Sequence, residues 1–127
     1  MADLRSSAVT LLSTTTVSLA ADAATTLYTV PTGKVCILSH AMLVVGANAA
    51  TSDISIGQTG AVADFVPATD LQHLDAANDC GILQPIPAVE LLKVEAYAAA
   101  TNIIATVTNQ AGGASNKIYL FGTLYDA

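Results

Sequence analysis

Charged and aromatic side chains are scarce in this sequence of 127 residues. Only 11% of the residues are charged, where about a quarter is usual, and tryptophan is absent. The four basic residues are widely separated, and the net charge is −6. Nucleic acids and anionic membranes are bound mainly through clustered Lys and Arg side chains. The sequence therefore predicts neither nucleic acid nor a membrane as a partner.

Long apolar runs are also lacking, although 53% of the residues are hydrophobic and the mean hydropathy is +0.57. The two longest uncharged stretches, residues 35–52 and 96–116, are interrupted by polar residues and glycine. Neither predicts a membrane-spanning helix, which needs about 20 apolar residues. Residues 5–23 loosely imitate a secretory signal peptide, but Asp3 and the polar run 13–16 depart from that pattern.

The shortage of charge has two interpretations. A sparsely charged surface solubilises a free monomer poorly, and the cores of protein interfaces are depleted of charged residues. One interpretation is that partner subunits cover much of the surface. The other is a surface of Ser, Thr, Asn and Ala that is sufficiently hydrated alone.

Cysteine is represented only by Cys36 and Cys80. Their separation matches no metal-ligand spacing. They are either small buried apolar residues or, in an oxidising compartment, a disulfide. In the chain-entropy model a bridge closing a loop of this length would add on the order of 4 kcal/mol.

Recognisable catalytic motifs are missing as well. The sequence contains no nucleotide-binding, serine-hydrolase or zinc-protease motif. His40 lies in the most apolar segment and is interpreted as a structural histidine. His73 lies near Asp70 and Asp75, an arrangement typical of a solvated loop and less often of a metal site. We predict no catalytic residue, no metal, no cofactor and no enzymatic activity.

What the sequence does contain is a series of short alternating apolar runs separated by glycine and proline, as in antiparallel all-β domains. The strongest predicted strand is Lys34–Val45. Its alternation assigns Val35, Ile37, Leu43 and Val45 to one face, and Cys36, Leu38, Met42 and Val44 to the other. Apolar residues on both faces predict a central strand that is covered on both sides and that bends or splits.

The remaining segments complete an all-β pattern. Further strands are predicted at residues 11–19, 25–30, 53–56, 62–66, 81–86, 102–108 and 117–125. Val30–Gly33 is predicted to form a type I turn, and residues 67–78 a long connection. Pro87–Ala100 fits a strand or a helix, and its alternation favours the strand. Eight or nine strands in one domain indicate a sandwich or a barrel.

The N-terminal segment precedes this pattern, which divides the chain into an arm, residues 1–10, and a β domain, residues 11–127. A short terminal segment is usually disordered unless something holds it. The arm either packs on its own domain or lies on a neighbouring subunit. In the second case Leu4 and Val9 would be its apolar anchors, and Arg5 would pair with a carboxylate.

Thr26–Lys34 has the sequence TLYTVPTGK and leads into the long apolar strand. It resembles the opening of small structural proteins of tailed bacteriophage virions, where a LYTVPxGK hairpin leads into a β-sandwich of jelly-roll type. Lys117–Leu124 is similar to the closing strand of such modules. The resemblance implies a single antiparallel β-sandwich of jelly-roll type, with about eight strands and a short N-terminal arm.

The resemblance extends to capsid decoration (cement) proteins, head fibres, and tail or baseplate fibre modules. The chain has room for one module only, and its acidic charge would be repelled by packaged DNA. A decoration protein on the outer surface of the capsid is therefore favoured over a fibre module. The implied partners are the major capsid protein or other virion subunits, and the implied homo-oligomer is a trimer. A secreted carbohydrate-binding β-sandwich is a third interpretation.

Overall fold

The computed structural model describes residues 8–86, 95–110 and 112–127. Every regular element in these ranges is a β-strand, so none of the described residues forms a helix that could cross a membrane. The strands are β1 Thr10–Val17, β2 Ala24–Thr29, β3 Lys34–Val44, β4 Asp53–Gln58, β5 Ala61–Asp70, β6 Cys80–Leu83, β7 Ala96–Tyr97, β8 Asn102–Thr108 and β9 Asn116–Asp126. The predicted all-β class is confirmed.

The strands form two antiparallel sheets. The first sheet has the order β1-β9-β3-β6, with the two-residue strand β7 also paired to β3, and the second has the order β2-β8-β4-β5. When β7 is set aside, the described residues form eight strands, four in each sheet. The first strand along the chain pairs with the last, β1 with β9, and the second pairs with the one before it, β2 with β8. This is the arrangement of a jelly roll, so the predicted antiparallel sandwich is confirmed.

The core lies between the two sheets because each long strand turns alternate side chains inward. Its largest fully buried side chains come from both sheets and from the segments between strands; they include Leu19, Leu43, Ile54, Ile56, Ile103, Ile118 and Leu120. Burying such side chains stabilises the fold by about 1.5–3 kcal/mol each before the entropy cost is subtracted.

The predicted faces of β3 are wrong beyond its middle. The register between β3 and β9 shifts between Leu38 and His40, which is a β-bulge. An extra residue reverses the alternation, so Cys36 and Leu38 share the core with Ala41 and Leu43. The other face is not fully covered, since Ile37 is 40% exposed. β3 is central in its sheet, as predicted, but within one chain it is not covered on both sides, and that part of the prediction is wrong. The predicted bend in the strand is present as the bulge.

The predicted turn is displaced by one residue. The amide of Lys34 donates to the carbonyl of Pro31 at 3.2 Å, so the turn is Pro31–Lys34. Gly33 at its third position has φ 76°, the left-handed conformation that type II turns need and glycine adopts without strain. β2 and β3 do not form the hairpin that the resemblance implies, because β2 pairs with β8 and β3 pairs with β9. The turn carries the chain from one sheet to the other.

Strand β5 continues beyond the predicted end at Val66. It runs to Asp70 and includes Pro67, so the predicted long connection begins later than expected. Proline is tolerated there because β5 is the edge strand of its sheet, where an amide need not join the ladder. Within the ambiguous region 87–100, residues 87–94 lie outside the described residues. The described remainder contains the short strand β7.

Candidate functional site

The residues predicted to contact a partner are described only in part. Leu4 and Arg5 lie outside the described residues. Val9 is described, is 57% exposed, and directly precedes β1 at the edge of the first sheet. Strand β1 begins at Thr10, one residue before the predicted boundary between arm and domain.

The two cysteines are free and far apart. Cys80 pairs with Val44 at the end of β3, whereas Cys36 lies near the beginning of that strand. At about 3.3 Å per residue their backbones are separated by roughly 25 Å, far beyond the ~7 Å limit for a disulfide. The hypothesis of a bridge between them is therefore corrected. Cys36 is a buried core residue and Cys80 is exposed on β6.

The two thiols should differ sharply in reactivity. Cys36 is fully buried, and that burial raises the pKa of its thiol to about 11. We expect a thiol-specific aromatic disulfide reagent at pH 8 to modify Cys80 in the folded protein and to reach Cys36 only after denaturation. Peptide mapping after labelling measures this directly. Equal labelling of both thiols in the folded protein would contradict the placement of Cys36 in the core.

The histidines occupy unrelated surroundings. The ring of His40 stacks on Phe121, with centroids 4.7 Å apart and planes 11° from parallel, and its Nδ1 lies 3.0 Å from the hydroxyl of Ser39. His73 and Asp70 line a groove of about 220 Å³ beside Ile82. No three His, Cys, Asp or Glu side chains in the described ranges come together as metal ligands do.

The outward surface of the first sheet is unusually apolar. The registers of β1, β3, β6 and β9 place large side chains side by side on it, away from the core. We call this surface the outer face; its principal members are Leu11, Ile37, Met42, Ile82, Tyr119 and Phe121. Leu11 is 51% exposed and Ile82 is 63% exposed. Exposed large apolar side chains that adjoin one another mark an interaction surface more often than scattered ones do.

The second sheet differs in its outward surface. The outward positions of β2, β4 and β8 carry mostly small or polar side chains, among them Ala24, Asp53, Ser55, Thr106 and Thr108. Ile104 also points outward but is only 8% exposed. The two sides of the sandwich are thus chemically distinct, and the outer face of the first sheet is the better candidate interface. Sequence alternation does not reveal the outer face, because it gives no sign of the bulge in β3.

One buried amide joins the end of β1 to two connections at one end of the sandwich. Asn116 is 1% exposed, and its Nδ2 donates to the carbonyls of Val17 and Gly113 at 3.0 and 2.8 Å. Its Oδ1 accepts from the amide of Gly46 at 3.0 Å. Both N–H groups and the oxygen of this side chain thus have protein partners, so this amide has a structural function.

A carboxylate joins the two sheets. Asp64 accepts hydrogen bonds from the hydroxyl of Tyr97 at 2.8 Å and from the side-chain and backbone amides of Gln58 at 2.8 and 3.2 Å. Tyr97 belongs to the first sheet and Asp64 to the second. Burial, followed by the bond to Asp64, raises the pKa of Tyr97 well above its ordinary range. The carboxylate is occupied by these bonds, which indicates a structural role.

Comparison with known proteins gives one informative likeness. No family model matches the sequence, and no curated protein matches it. Among solved structures, a chain in the acidic stable capsid structure of Helicobacter pylori bacteriophage KHP30 is similar, with a TM-score of 0.58 over 95% of each chain and 14% sequence identity. The resemblance to β-sandwich proteins of bacteriophage particles is confirmed at the level of the fold.

Proposed function

We propose that this chain is a structural protein of a tailed bacteriophage particle, and specifically a capsid decoration (cement) protein on the outer surface of the shell. The observation that carries the proposal is the likeness in fold, over 95% of both chains, to a chain of a bacteriophage capsid structure. The TLYTVPTGK motif points independently to the same class of proteins.

The charge of the chain supports the outer surface. With a net charge of −6, the protein is repelled by packaged DNA inside a capsid, whereas no such repulsion acts outside. The hydrogen bonds of Asp64 and Asn116 hold parts of the fold together, so neither side chain points to catalysis. The proposed role is therefore mechanical and not catalytic.

In this role the protein bridges neighbouring subunits of the assembled shell, with the major capsid protein or other virion subunits as its partners. It binds the assembled state and not its separated parts, so binding stabilises the shell by mass action. At a free concentration a hundred times the dissociation constant, this contribution is about 2.7 kcal/mol per site. The resemblance to decoration proteins further implies a homo-oligomer, with three copies as the expected number.

The N-terminal arm is the proposed attachment element. It leads into β1, an edge strand, from the exposed Val9. In the proposal Leu4 and Val9 enter apolar sites on a neighbouring subunit, and Arg5 pairs with a carboxylate there. Burying two such side chains is worth roughly 1.5–3 kcal/mol each before ordering costs are subtracted.

Shells that lack the protein allow a direct test. The full chain should bind them and raise the temperature at which they open. A chain lacking residues 2–9, which retains all of β1, should stay folded and bind at least ten times more weakly, because its anchors are gone.

A matched pair of substitutions separates anchoring from general surface effects. Val9→Asp should weaken binding to the shell, whereas Val62→Asp, at a residue that is 42% exposed on the second sheet, should not. If the full chain fails to bind shells, the proposed function is wrong. If the shortened chain binds as tightly as the full chain, the arm is not the anchor.

A further inference from the structure

We infer that the outer face of the first sheet binds a second copy of this chain. The inference concerns the isolated protein and holds whether or not the protein decorates a capsid. It rests on the composition, the charge and the size of this face.

The composition of the outer face is that of an interface core. Three of the six aromatic residues in the sequence, Tyr119, Phe121 and Tyr125, point outward from the single strand β9. Met42 and the stacked ring of His40 lie beside them on β3. Tyr, Phe and Met are enriched in interface cores, and aromatic side chains supply much of the binding energy there.

The charge distribution favours a second copy as the occupant. Lys117 is the one charged residue among the described outward positions of the first sheet's strands. The described carboxylates lie in loops, on the second sheet, or at the last residue of β9, where the exposed Asp126 pairs with Lys34 at 2.6 Å. A highly charged partner would gain little from a face whose described positions carry one charged side chain, Lys117. Two acidic copies, each of charge −6, repel each other least when they meet on the surface that lacks carboxylates.

The size of the outer face is adequate for such a contact. Strands β1, β9, β3, β6 and β7 contain 8, 11, 11, 4 and 2 residues. At about 3.3 Å along a strand and about 4.8 Å between strands, they cover roughly 600 Å². Two such faces together bury roughly 1,200 Å², which lies within the range of specific interfaces.

The test is the mass of the full-length protein in solution by light scattering during gel filtration. We expect the wild-type chain at about 50 μM to have a mass of two or more chains of 12.9 kDa each. Ile37→Glu and Ile82→Glu each place an unpaired charge in the contact. Each should lower the association constant on the order of a hundredfold or more and give a mass of 12.9 kDa.

Val62→Glu is the matched control, because Val62 is a similarly exposed aliphatic residue, 42% exposed, on the second sheet. It should leave the mass unchanged, and circular dichroism should show that all three variants are folded. A wild-type chain that runs as a monomer overturns the inference, and so does an oligomer that persists in both outer-face variants. If these variants keep their mass but no longer bind shells, the face contacts the shell and the inference is equally wrong. If the wild-type chain is an oligomer but fails to bind shells, the proposed function is wrong and the present inference stands.

Discussion

Replacing Asn116 by alanine should lower the free energy of unfolding by about 2–3 kcal/mol, since it removes three hydrogen bonds to the backbone, one of them fully buried. The amide of Gly46 and the carbonyls of Val17 and Gly113 lose their bonds to a side chain that is 1% exposed. The bond to Val17 is the buried one, and a buried polar group left unsatisfied costs about 1–3 kcal/mol. The other two losses are smaller, because Gly46 is exposed and the carbonyl of Gly113 still accepts from the amide of Leu19 at 3.0 Å. For a domain of this size the melting temperature should fall by roughly 10 °C or more. Denaturant unfolding followed by circular dichroism measures the change.

Asn102→Ala provides the control for this substitution. Asn102 is exposed and accepts one hydrogen bond, from the hydroxyl of Thr29 at 2.7 Å. Losing this hydrogen bond should lower the free energy of unfolding by less than about 1 kcal/mol, because water can replace the exposed partner. A similar small loss for Asn116→Ala would show that the buried amide does not hold the end of β1 and the two connections together.

Replacing Asp64 by alanine should cost about 2–3 kcal/mol, because Tyr97 and Gln58 lose the carboxylate that accepts their hydrogen bonds. Tyr97→Phe removes only one of the three bonds and should cost about 1 kcal/mol. In the double variant the two losses should not add, since both substitutions remove the same bond. Unfolding free energies of the four proteins form the required cycle, and full additivity would contradict a direct contact between the two side chains.

The same pair predicts a dependence of stability on pH. Burial and the bond to Asp64 raise the pKa of Tyr97 in the folded protein, whereas an unfolded tyrosine ionises near its ordinary value of about 10. Above that pH the unfolded chain has released a proton that the folded chain retains, so stability falls as the pH rises. Tyr97→Phe should reduce this fall. An unchanged alkaline loss of stability in the variant would assign the effect to other groups.

Local patterns in the sequence predicted most strands well. In the run from Asn102 to Thr108 the apolar residues alternate with polar ones except at Ile104, and the strand has those bounds. In β3 the predicted bounds also agree within one residue. A continuous alternation across Ser39 and His40, however, predicts the wrong face for the residues beyond them. A bulge is produced by pairing with β9, so it leaves no clear signal in β3 alone.

The candidate sites depend still more on tertiary structure. The outer face combines residues from β1, β3, β6 and β9, and its extent follows from sheet order, which local periodicity does not contain. The partners of Asn116 are Val17 at the end of β1, and Gly46 and Gly113 in two separate connections. The distance between Cys36 and Cys80 likewise depends on the register of β6 on β3. The arm, by contrast, was inferred from the sequence alone, and its role stays a prediction.

The proposed role on the capsid is tested most directly by quantifying this chain in purified bacteriophage particles by mass spectrometry, after labelling intact particles with an amine reagent that does not enter them. A decoration protein should be present in a fixed ratio to the major capsid protein, and Lys34, whose side chain is 41% exposed and lies off the outer face, should be labelled while the shell is closed. Absence from the particles would contradict the account, as would a few copies per particle or complete protection from the reagent until the shell is opened.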